Sequence, residues 1–462
     1  MESSSAIEIT RIPETRPFVE EVYSSNMAHI GMSIKSSEER PLKNKLEYDP
    51  RLLAEIFPPE KAHEMFNIGI TAVHGNEPYI MTAGVALELN EILREHNLKP
   101  VPLMLPNIYE GTTKRILLEE FGGHADEIYL SDELARILRK TEFTKAGYHA
   151  HLRELLEHQP QVYEELMEFL AKPFDAVSLA GDVREFQPQG RRLEINAGAN
   201  VTASEPGRRR THFLFPVLLS EMMEATLNDR ELMRYFDKAT IAQVKTIAEE
   251  FEQRYRTTQL PYVHTLSYQG EAYPREGKLF TPPFKKAKDA PDIELPEGIG
   301  IYVMGSGSEI GKEVIEDQAL QLHGQGYTII APKWFNLDFG TAALPDVIYH
   351  PNIRVVMGRH GWGVGWISQV AEKPFIAMPH LWFDNPEMHF NAKTMRKTGL
   401  GVVFKHRADI VERALRLAPR IRELNEQMYQ ELGIPRGKDG IRVAAENIIA
   451  AEVNDVAQRH AS

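Results

Sequence analysis

Residues 358–366 read GRHGWGVGW, and this glycine-rich stretch decides the fold of the C-terminal part of the chain. A β-branched run at 353–357 predicts a strand before it, and apolar periodicity predicts a helix that continues to Ala371. Glycine lets a backbone approach a ligand closely, and a helix N-terminus presents unpaired N–H groups at the positive end of its dipole. The stretch therefore predicts an anion site beside Arg359 and His360, unless the glycines serve tight packing alone.

The sequence around this stretch alternates between short apolar runs and helical periodicity. Further strands are predicted at 299–304, 327–331, 375–378 and 402–405, with helices between them. This alternation is typical of a doubly wound α/β domain, here spanning 298–440. The remaining residues, 441–462, predict a helix that packs back on the preceding half of the chain.

The N-terminal half repeats the alternation less regularly. Buried strands are predicted at 66–73, 101–105 and 128–130, each followed by a helix, so that 65–270 forms a first α/β domain. Residues 1–64 have no sustained periodicity and are predicted to be an extension. Residues 271–297 are rich in proline and lysine and predict a linker. Two such domains are expected to face each other across a cleft at the carboxyl ends of their strands.

Composition limits the classes of protein that fit. The chain has 462 residues, no cysteine, 42% hydrophobic and 26% charged residues, and a net charge of −13. Without cysteine there are no disulfides, thiolate metal ligands or cysteine nucleophiles. No apolar run approaches the roughly eighteen residues of a membrane span, and the N-terminus has no secretory signal, so a cytoplasmic protein is expected. The negative charge argues against a nucleic-acid partner.

The segments that follow residues 358–366 carry a resemblance to a known family. The chain continues with Glu-Lys-Pro at 372–374, Asp-Asn-Pro-Glu at 384–387, Asn-Ala at 391–392 and Gly-Leu-Gly at 399–401. In order and spacing this resembles the donor domain of inverting GT-B glycosyltransferases, which include small-molecule and peptidoglycan enzymes. The resemblance implies two Rossmann-like domains and transfer of a sugar from a nucleotide-diphosphate-sugar, UDP- or TDP-linked, to an acceptor hydroxyl with inversion.

The resemblance also assigns roles to individual residues. It implies that His360 faces the donor diphosphate and that Asp384, Asn385 and Glu387 hold sugar hydroxyls, although these three also suit the start of a helix at Pro386. The remaining donor contacts that it implies are Gly305, Ser306, Gly307, Ser308, Lys333, Arg359, Gly361, Trp362 and Gly363. Trp362 and Trp366 fit either a stacked base or a packed core.

Catalysis in the family needs a general base on the acceptor hydroxyl. The matching loop places His74 first and Glu77 second as candidates, while the alternative for His74 is a strand-end histidine bonded to its own loop. The sequence departs from the family at Ile367, which stands where a ribose-binding Glu is expected. This departure puts the identity of the nucleotide in question.

No metal or cofactor is expected, because His350, His380 and His389 lack the spacing of a zinc site. The acceptor is expected to be a small molecule or lipid-linked, and no motif identifies it. Three alternatives stay open. The chain fits a nucleotide-sugar epimerase of the same architecture, a non-catalytic scaffold or partner subunit with this fold, and, less well, a nicotinamide enzyme suggested by Gly305-Ser306-Gly307.

Overall fold

The structure is a computed structural model that describes residues 47–70, 77–141, 147–198, 210–215, 217–254, 256–260, 278–285, 288–304, 311–332, 335, 337–404 and 408–461. Within these ranges the chain forms two α/β domains, each built on a mostly parallel sheet. Among the described helices, none combines the length and the apolar composition that a membrane span requires.

The first domain is built on an eight-stranded sheet. Its strands are β1 Phe66–Gly69, β2 Leu103–Pro106, β3 Ile128–Ser131, β4 Phe174–Ser178, β5 Val183–Phe186, β6 Arg191–Asn196, β7 Arg210–Phe213 and β8 Arg256–Gln259. Their spatial order is β5-β4-β3-β2-β1-β6-β7-β8, and β4 alone runs opposite to the other seven strands. The chain leaves β1 toward β2 and later returns to the other side of β1 at β6. The switch point of this sheet therefore lies where β1 and β6 end.

Helices cover this sheet. They are α1 Leu53–Ile56, α2 Glu77–Glu95, α3 Gly111–Phe121, α4 Asp132–Leu138, α5 Tyr148–Leu170, α6 Leu219–Asn228 and α7 Lys238–Gln253. α2 is buried over most of its length because its middle carries alanine, glycine and leucine. It follows β1 and begins near the switch point.

The second domain is built on a six-stranded parallel sheet with the order β11-β10-β9-β12-β13-β14. In chain order its elements are β9 Gly300–Met304, α8 Lys312–Gly324, β10 Thr328–Ala331, β11 Thr341–Ala342, β12 Ile353–Gly358, α9 Trp362–Val370, β13 Phe375–Ala377, α10 Pro386–Thr398, β14 Gly401–Val403, α11 Ile410–Leu415 and α12 Ala418–Leu432. Successive residues of β9 point to opposite faces, since Ile301 and Val303 join one apolar cluster and Tyr302 joins another. The switch point lies between β9 and β12.

These two sheets confirm the predicted fold class. In the antiparallel β4–β5 hairpin, the strand β5 was not predicted, and the sequence of β5 shows why. This strand reads Val-Arg-Glu-Phe, with Val183 exposed and only Phe186 buried. An edge strand needs little apolar pattern, so a propensity argument does not detect it.

Part of the predicted linker is packed rather than exposed. Within 278–285, the side chains of Leu279, Phe280 and Phe284 are at most 4% exposed and belong to the core of the first domain. Phe284 meets Trp366 of α9 edge-on at 5.3 Å between ring centroids. This segment therefore joins the first domain to the helix that starts at the glycine-rich stretch.

The chain ends in α13, Gly440–Ala461, which packs on α1 and α2 of the first domain. Ala444, Ile448, Ile449 and Val453 are fully buried there. α13 thus returns from the second domain to complete the core of the first.

Candidate functional site

The glycine-rich stretch lies at the switch point of the second sheet. β12 ends at Gly358, and α9 begins four residues later. A Cβ on Gly358 would lie 2.2 Å from the carbonyl oxygen of Met304 at the end of β9, so this glycine is required by the close approach of the two strands. Ligands of open α/β sheets bind at such switch points.

The other three glycines of the stretch have different surroundings. A Cβ on Gly365 would lie 3.3 Å from the His360 ring, and one on Gly363 would lie 2.3 Å from Cγ of Glu77. Both positions are filled by protein side chains. At Gly361, by contrast, no described atom lies within 4 Å of where a Cβ would be. Packing against the described residues therefore explains three of the four glycines, whereas it gives no reason for a glycine at position 361.

Gly361 is the N-cap of α9 and supplies no side-chain cap. The backbone N–H of Trp362 instead donates to the carboxylate of Glu387, which is the second residue of α10. Asn391, one turn further along α10, donates to Glu387 Oε1 at 3.3 Å and to the His360 carbonyl at 3.1 Å. α10 thus holds one carboxylate against the start of α9.

The electrostatics of Glu387 depend on its neighbours. Burial raises the pKa of Glu387 to about 7, an effect that Arg359 opposes and the charge of Asp384 reinforces. Arg359 forms a bidentate ion pair with Asp384. Its Nε donates to Oδ2 at 2.9 Å and its Nη2 donates to Oδ1 at 2.5 Å. Asp384 is 1% exposed and Arg359 11% exposed. A guanidinium fixed in this geometry is a preorganised cation beside the helix start.

His360 does not lie in the open part of the site. Its ring is packed under α9, with its centroid 4.8 Å from that of Phe375, and the residue is 9% exposed. Burial lowers the pKa of His360 to about 4, so the ring is neutral at neutral pH. The resemblance implies a contact of His360 with the diphosphate, which stays a prediction; its neighbour Arg359 is charged but paired with Asp384.

The remaining predicted residues of α9 pack into cores. The Trp362 and Trp366 rings stack with their centroids 6.1 Å apart, and both belong to the core shared with the first domain. Ile367 is 8% exposed and belongs to the apolar cluster under the second sheet, with Phe375. The position at which the family pattern expects a ribose-binding Glu therefore faces the protein interior.

The first domain contributes two charged groups. Glu77, the first residue of α2, places its carboxylate against Gly363, and Lys285 pairs with it, its Nζ lying 2.9 Å from Oε1. Lys285 was not predicted, because it belongs to the segment assigned as a linker. Only the return of 278–285 to the core brings it to the site.

Two more contacts join the domains beside the site. The Tyr148 backbone N–H at the start of α5 donates to the Phe383 carbonyl at 2.9 Å. Asp229, just after α6, pairs with Lys393 and with His389, whose Nε2 lies 3.2 Å from Asp229 Oδ2. Neither contact was predicted, because each joins residues more than a hundred positions apart.

Several predicted site residues lie outside the described residues. They are His74, Gly305, Ser306, Gly307, Ser308 and Lys333. Their roles stay predictions. The described part of the site consists of Glu77, Arg359, Gly361, Gly363, Asp384, Asn385 and Glu387, with Lys285 added.

Known proteins of similar structure have the same two-domain architecture as this chain. No family model matches this sequence, and no curated protein matches it at a significant level. The structure of a UDP-glucosyltransferase from Polygonum tinctorium capable of glucosylating indoxyl, in complex with 3,4-dichloroaniline, is similar with a TM-score of 0.55 and 13% identity, over 84% of this chain and 99% of that chain. UGT89C1 of Arabidopsis thaliana, complexed with UDP-L-rhamnose, is similar with a TM-score of 0.52 and 12% identity, over 84% of this chain and 98% of that chain. The predicted resemblance is confirmed at the level of fold, and the chain has the two-domain GT-B architecture.

Proposed function

We propose that this protein is a glycosyltransferase that moves a sugar from a nucleotide-diphosphate-sugar to an acceptor hydroxyl. One observation carries the proposal. At the switch point of the second sheet, the N-terminus of α9 opens at Gly361 next to a buried, preorganised guanidinium on Arg359. Helix N–H groups and a fixed cation stabilise a leaving diphosphate as negative charge builds on it.

UDP is the nucleotide we favour, with TDP second. The similar solved structures include a UDP-glucosyltransferase and a complex with UDP-L-rhamnose, which supports a uridine nucleotide here. Residues 305–308 and Lys333, which the resemblance assigns to the donor, are proposed to complete the donor site. Because Ile367 is buried, ribose recognition must come from other groups.

We propose inversion without a metal. In this scheme the N–H groups of α9 and the Arg359 guanidinium stabilise the leaving diphosphate in place of a divalent cation. A direct displacement needs one base on the acceptor side, which we assign first to His74 and second to Glu77. The first domain, 65–270, is proposed to bind a small-molecule or lipid-linked acceptor. The absence of cysteine supports a cytoplasmic location.

A non-catalytic scaffold with the same fold is the second candidate. Two observations favour it, since Ile367 has replaced the ribose-binding Glu and His360 is buried and neutral. A scaffold of this kind would bind no nucleotide-sugar. The nucleotide-sugar epimerase has no such observation in its favour, because no acids can be assigned to both faces of a sugar ring.

A Gly361→Ala variant separates these candidates. Its Cβ would meet no described atom within 4 Å, so the fold should persist, but the methyl group would stand where the diphosphate is proposed to meet the helix. We expect UDP to raise the melting temperature of the wild type by mass action, and the variant to lose most of that shift. The matched control is Gly122→Ala, where the new Cβ also meets no described atom within 4 Å.

The proposal fails if neither UDP, TDP nor GDP shifts the wild type. It also fails if Gly361→Ala keeps the full shift, because the anion would then bind elsewhere. If UDP raises the melting temperature of Gly122→Ala as it does that of the wild type but does not raise that of Gly361→Ala, the result supports diphosphate binding at Gly361. Sugar transfer from the same nucleotide to an acceptor found by screening would then establish the activity.

A further inference from the structure

The start of α9 is in contact with an acid from the other domain. The Glu77 side chain lies so close to Gly363 that a Cβ there would be 2.3 Å from Cγ and 2.7 Å from Oε2. Only a glycine at position 363 leaves room for this carboxylate. Lys285 is its counter-ion, and the two side chains are only 27% and 17% exposed.

The Glu77 carboxylate occupies a position that would suit a bound anion. Glu77 is the first residue of α2, and it touches the first turn of α9, so the N-termini of two helices meet at one carboxylate. Both helices present positive dipole ends there. Since α2 follows β1 and α9 follows β12, the carboxylate lies between the switch points of the two sheets.

A diphosphate and this carboxylate cannot share the position without a large penalty. Glu387 already accepts from the Trp362 N–H, so a diphosphate beside Glu77 would bring a third anionic group to the same helix start. Two like charges a few ångströms apart repel each other, and the repulsion is stronger near a protein surface than in bulk water. The incoming anion must therefore displace Glu77 or bind weakly.

The two cations beside the site differ in their freedom to respond. Arg359 is held by two hydrogen bonds to buried Asp384 and keeps its place. Lys285 carries its charge at the end of a flexible side chain, and its described ion pair with Glu77 is a single Nζ–Oε1 contact. When Glu77 is displaced, Lys285 is left without that pair at the position of the anion.

We propose that the Glu77–Lys285 ion pair is exchanged during donor binding, with the diphosphate replacing Glu77 at α9 and Lys285 becoming a diphosphate ligand. The inference rests on the proposed function, because it names a binding residue and an internal competitor for the same site. It assigns to Glu77 a control of donor affinity that is separate from any role as a base.

The experiment measures binding of UDP and of inorganic pyrophosphate by titration calorimetry to the wild type and three variants of the full chain. Glu77→Gln keeps the shape but removes the competing charge, and we expect it to bind both ligands about tenfold more tightly, the change that 1.4 kcal/mol makes. Lys285→Met should bind both about tenfold more weakly. Glu91→Gln is the control, because it removes the same charge from a more exposed position on α2, about 20 Å along the helix.

The inference is overturned if Glu77→Gln binds UDP and pyrophosphate no more tightly than the wild type, since Glu77 would then be a permanent helix cap. It is also overturned if Glu91→Gln reproduces the gain, which would make the effect one of net charge. If UDP binds to none of the proteins, the proposed function fails. The ion-pair exchange then stands if Glu77→Gln still gains affinity for pyrophosphate and falls if it does not.

Discussion

Glu387 and Asp384 are carboxylates three residues apart that experience different environments. Asp384 has the two-bonded guanidinium of Arg359, whereas Glu387 has amide donors and Arg359 at longer range. Burial therefore dominates at Glu387 and raises its pKa from 4.5 to about 7. A buried acid with a raised pKa is common at functional sites.

This shift predicts how stability depends on pH. Because the folded-state pKa of Glu387 lies above the unfolded value, the folded protein binds more protons between pH 4.5 and 7, and the free energy of unfolding falls as pH rises through that range. The loss is about 3 kcal/mol at most. Urea unfolding at pH 5 and pH 7.5 measures it, and Glu387→Gln should lose less stability between these pH values than the wild type.

Glu252 is a second buried acid with a raised pKa, and it serves as a positive comparison for this prediction. It lies near the end of α7 and accepts from the Ser220 backbone N–H, and burial raises its pKa to about 7 as well. Glu252→Gln should therefore remove a similar share of the pH dependence. Parallel profiles for wild type and Glu387→Gln would contradict the assignment of a raised pKa to Glu387.

The Arg359–Asp384 pair predicts a large cost for removing one partner. In Arg359→Met the Asp384 carboxylate, 1% exposed, would keep its bond from the Asn385 N–H but lose its counter-charge. Breaking a buried pair in this way costs about 3–5 kcal/mol. Urea unfolding at pH 7 tests this, and Arg359→Lys should recover part of the loss because it keeps the charge without the two-bonded geometry. A loss below about 1 kcal/mol would contradict the pair's importance.

For single residues, the sequence predicts site members that lie near one another in the chain, but not those that only folding brings to the site. Arg359 and Gly361 were predicted from the glycine-rich stretch, and Asp384 and Glu387 from the family resemblance of the segment that follows it. Lys285 was missed since its position depends on burial of a segment without periodicity. The orientation of His360 was also beyond sequence reasoning, because spacing does not indicate whether a side chain turns toward the cleft or under its helix.

Among the elements, α13 shows how a helix is fixed by backbone contact. A Cβ on Gly440, its first residue, would lie 2.3 Å from the carbonyl oxygens of both Pro282 and Pro283. Further along, Arg442 pairs with Glu95 of α2, and the Gly84 backbone of α2 approaches Ile441. The start of α13 therefore connects α2 with the 278–285 segment that carries Lys285.

Gly440→Ala should displace this helix start. The new methyl group meets rigid backbone rather than a flexible side chain, so we expect a loss of about 1–3 kcal/mol in the free energy of unfolding, as for overpacked core sites. Urea unfolding of Gly440→Ala beside Gly122→Ala measures the difference. Equal stability of the two variants would show that the 278–285 segment moves freely away from α13.

The elements themselves follow mostly from periodicity. The long buried helix α2 and the strands β9 and β12 have patterns that match their burial, and they were predicted within a few residues. β7 and β8 were missed because each is four residues long and lies at an end of a strongly helical stretch. Short strands are specified by pairing with neighbours, which a local pattern does not contain.

On the scale of the whole molecule, the domains meet through contacts that differ in chemistry. Asp229 of the first domain pairs with Lys393 and His389 of α10, and the Tyr148 N–H donates to the Phe383 carbonyl. Although burial opposes it, the Lys393 hydrogen bond lowers the pKa of Asp229 to about 2, so this acid stays charged over the physiological range. The sequence predicted that two domains would meet but not which residues join them.

Asp229→Asn tests whether these contacts form one cooperative unit. The amide can still accept from the Glu231 and Leu232 N–H groups, so the local turn should persist while the ion pairs between the domains are lost. If the domains separate together, amide exchange should rise several-fold at Tyr148, whose N–H is bonded across the interface, while the free energy of unfolding falls by only about 1–2 kcal/mol. Hydrogen exchange read by mass spectrometry measures both the Tyr148 peptide and protection elsewhere, with Glu423→Gln, an exposed ion-pair acid of α12, as the control. If the amide exchange of Tyr148 is unchanged in Asp229→Asn, the two interdomain contacts open independently. The hydrogen bond from Tyr148 of α5 would then form without the ion pairs between Asp229 and α10.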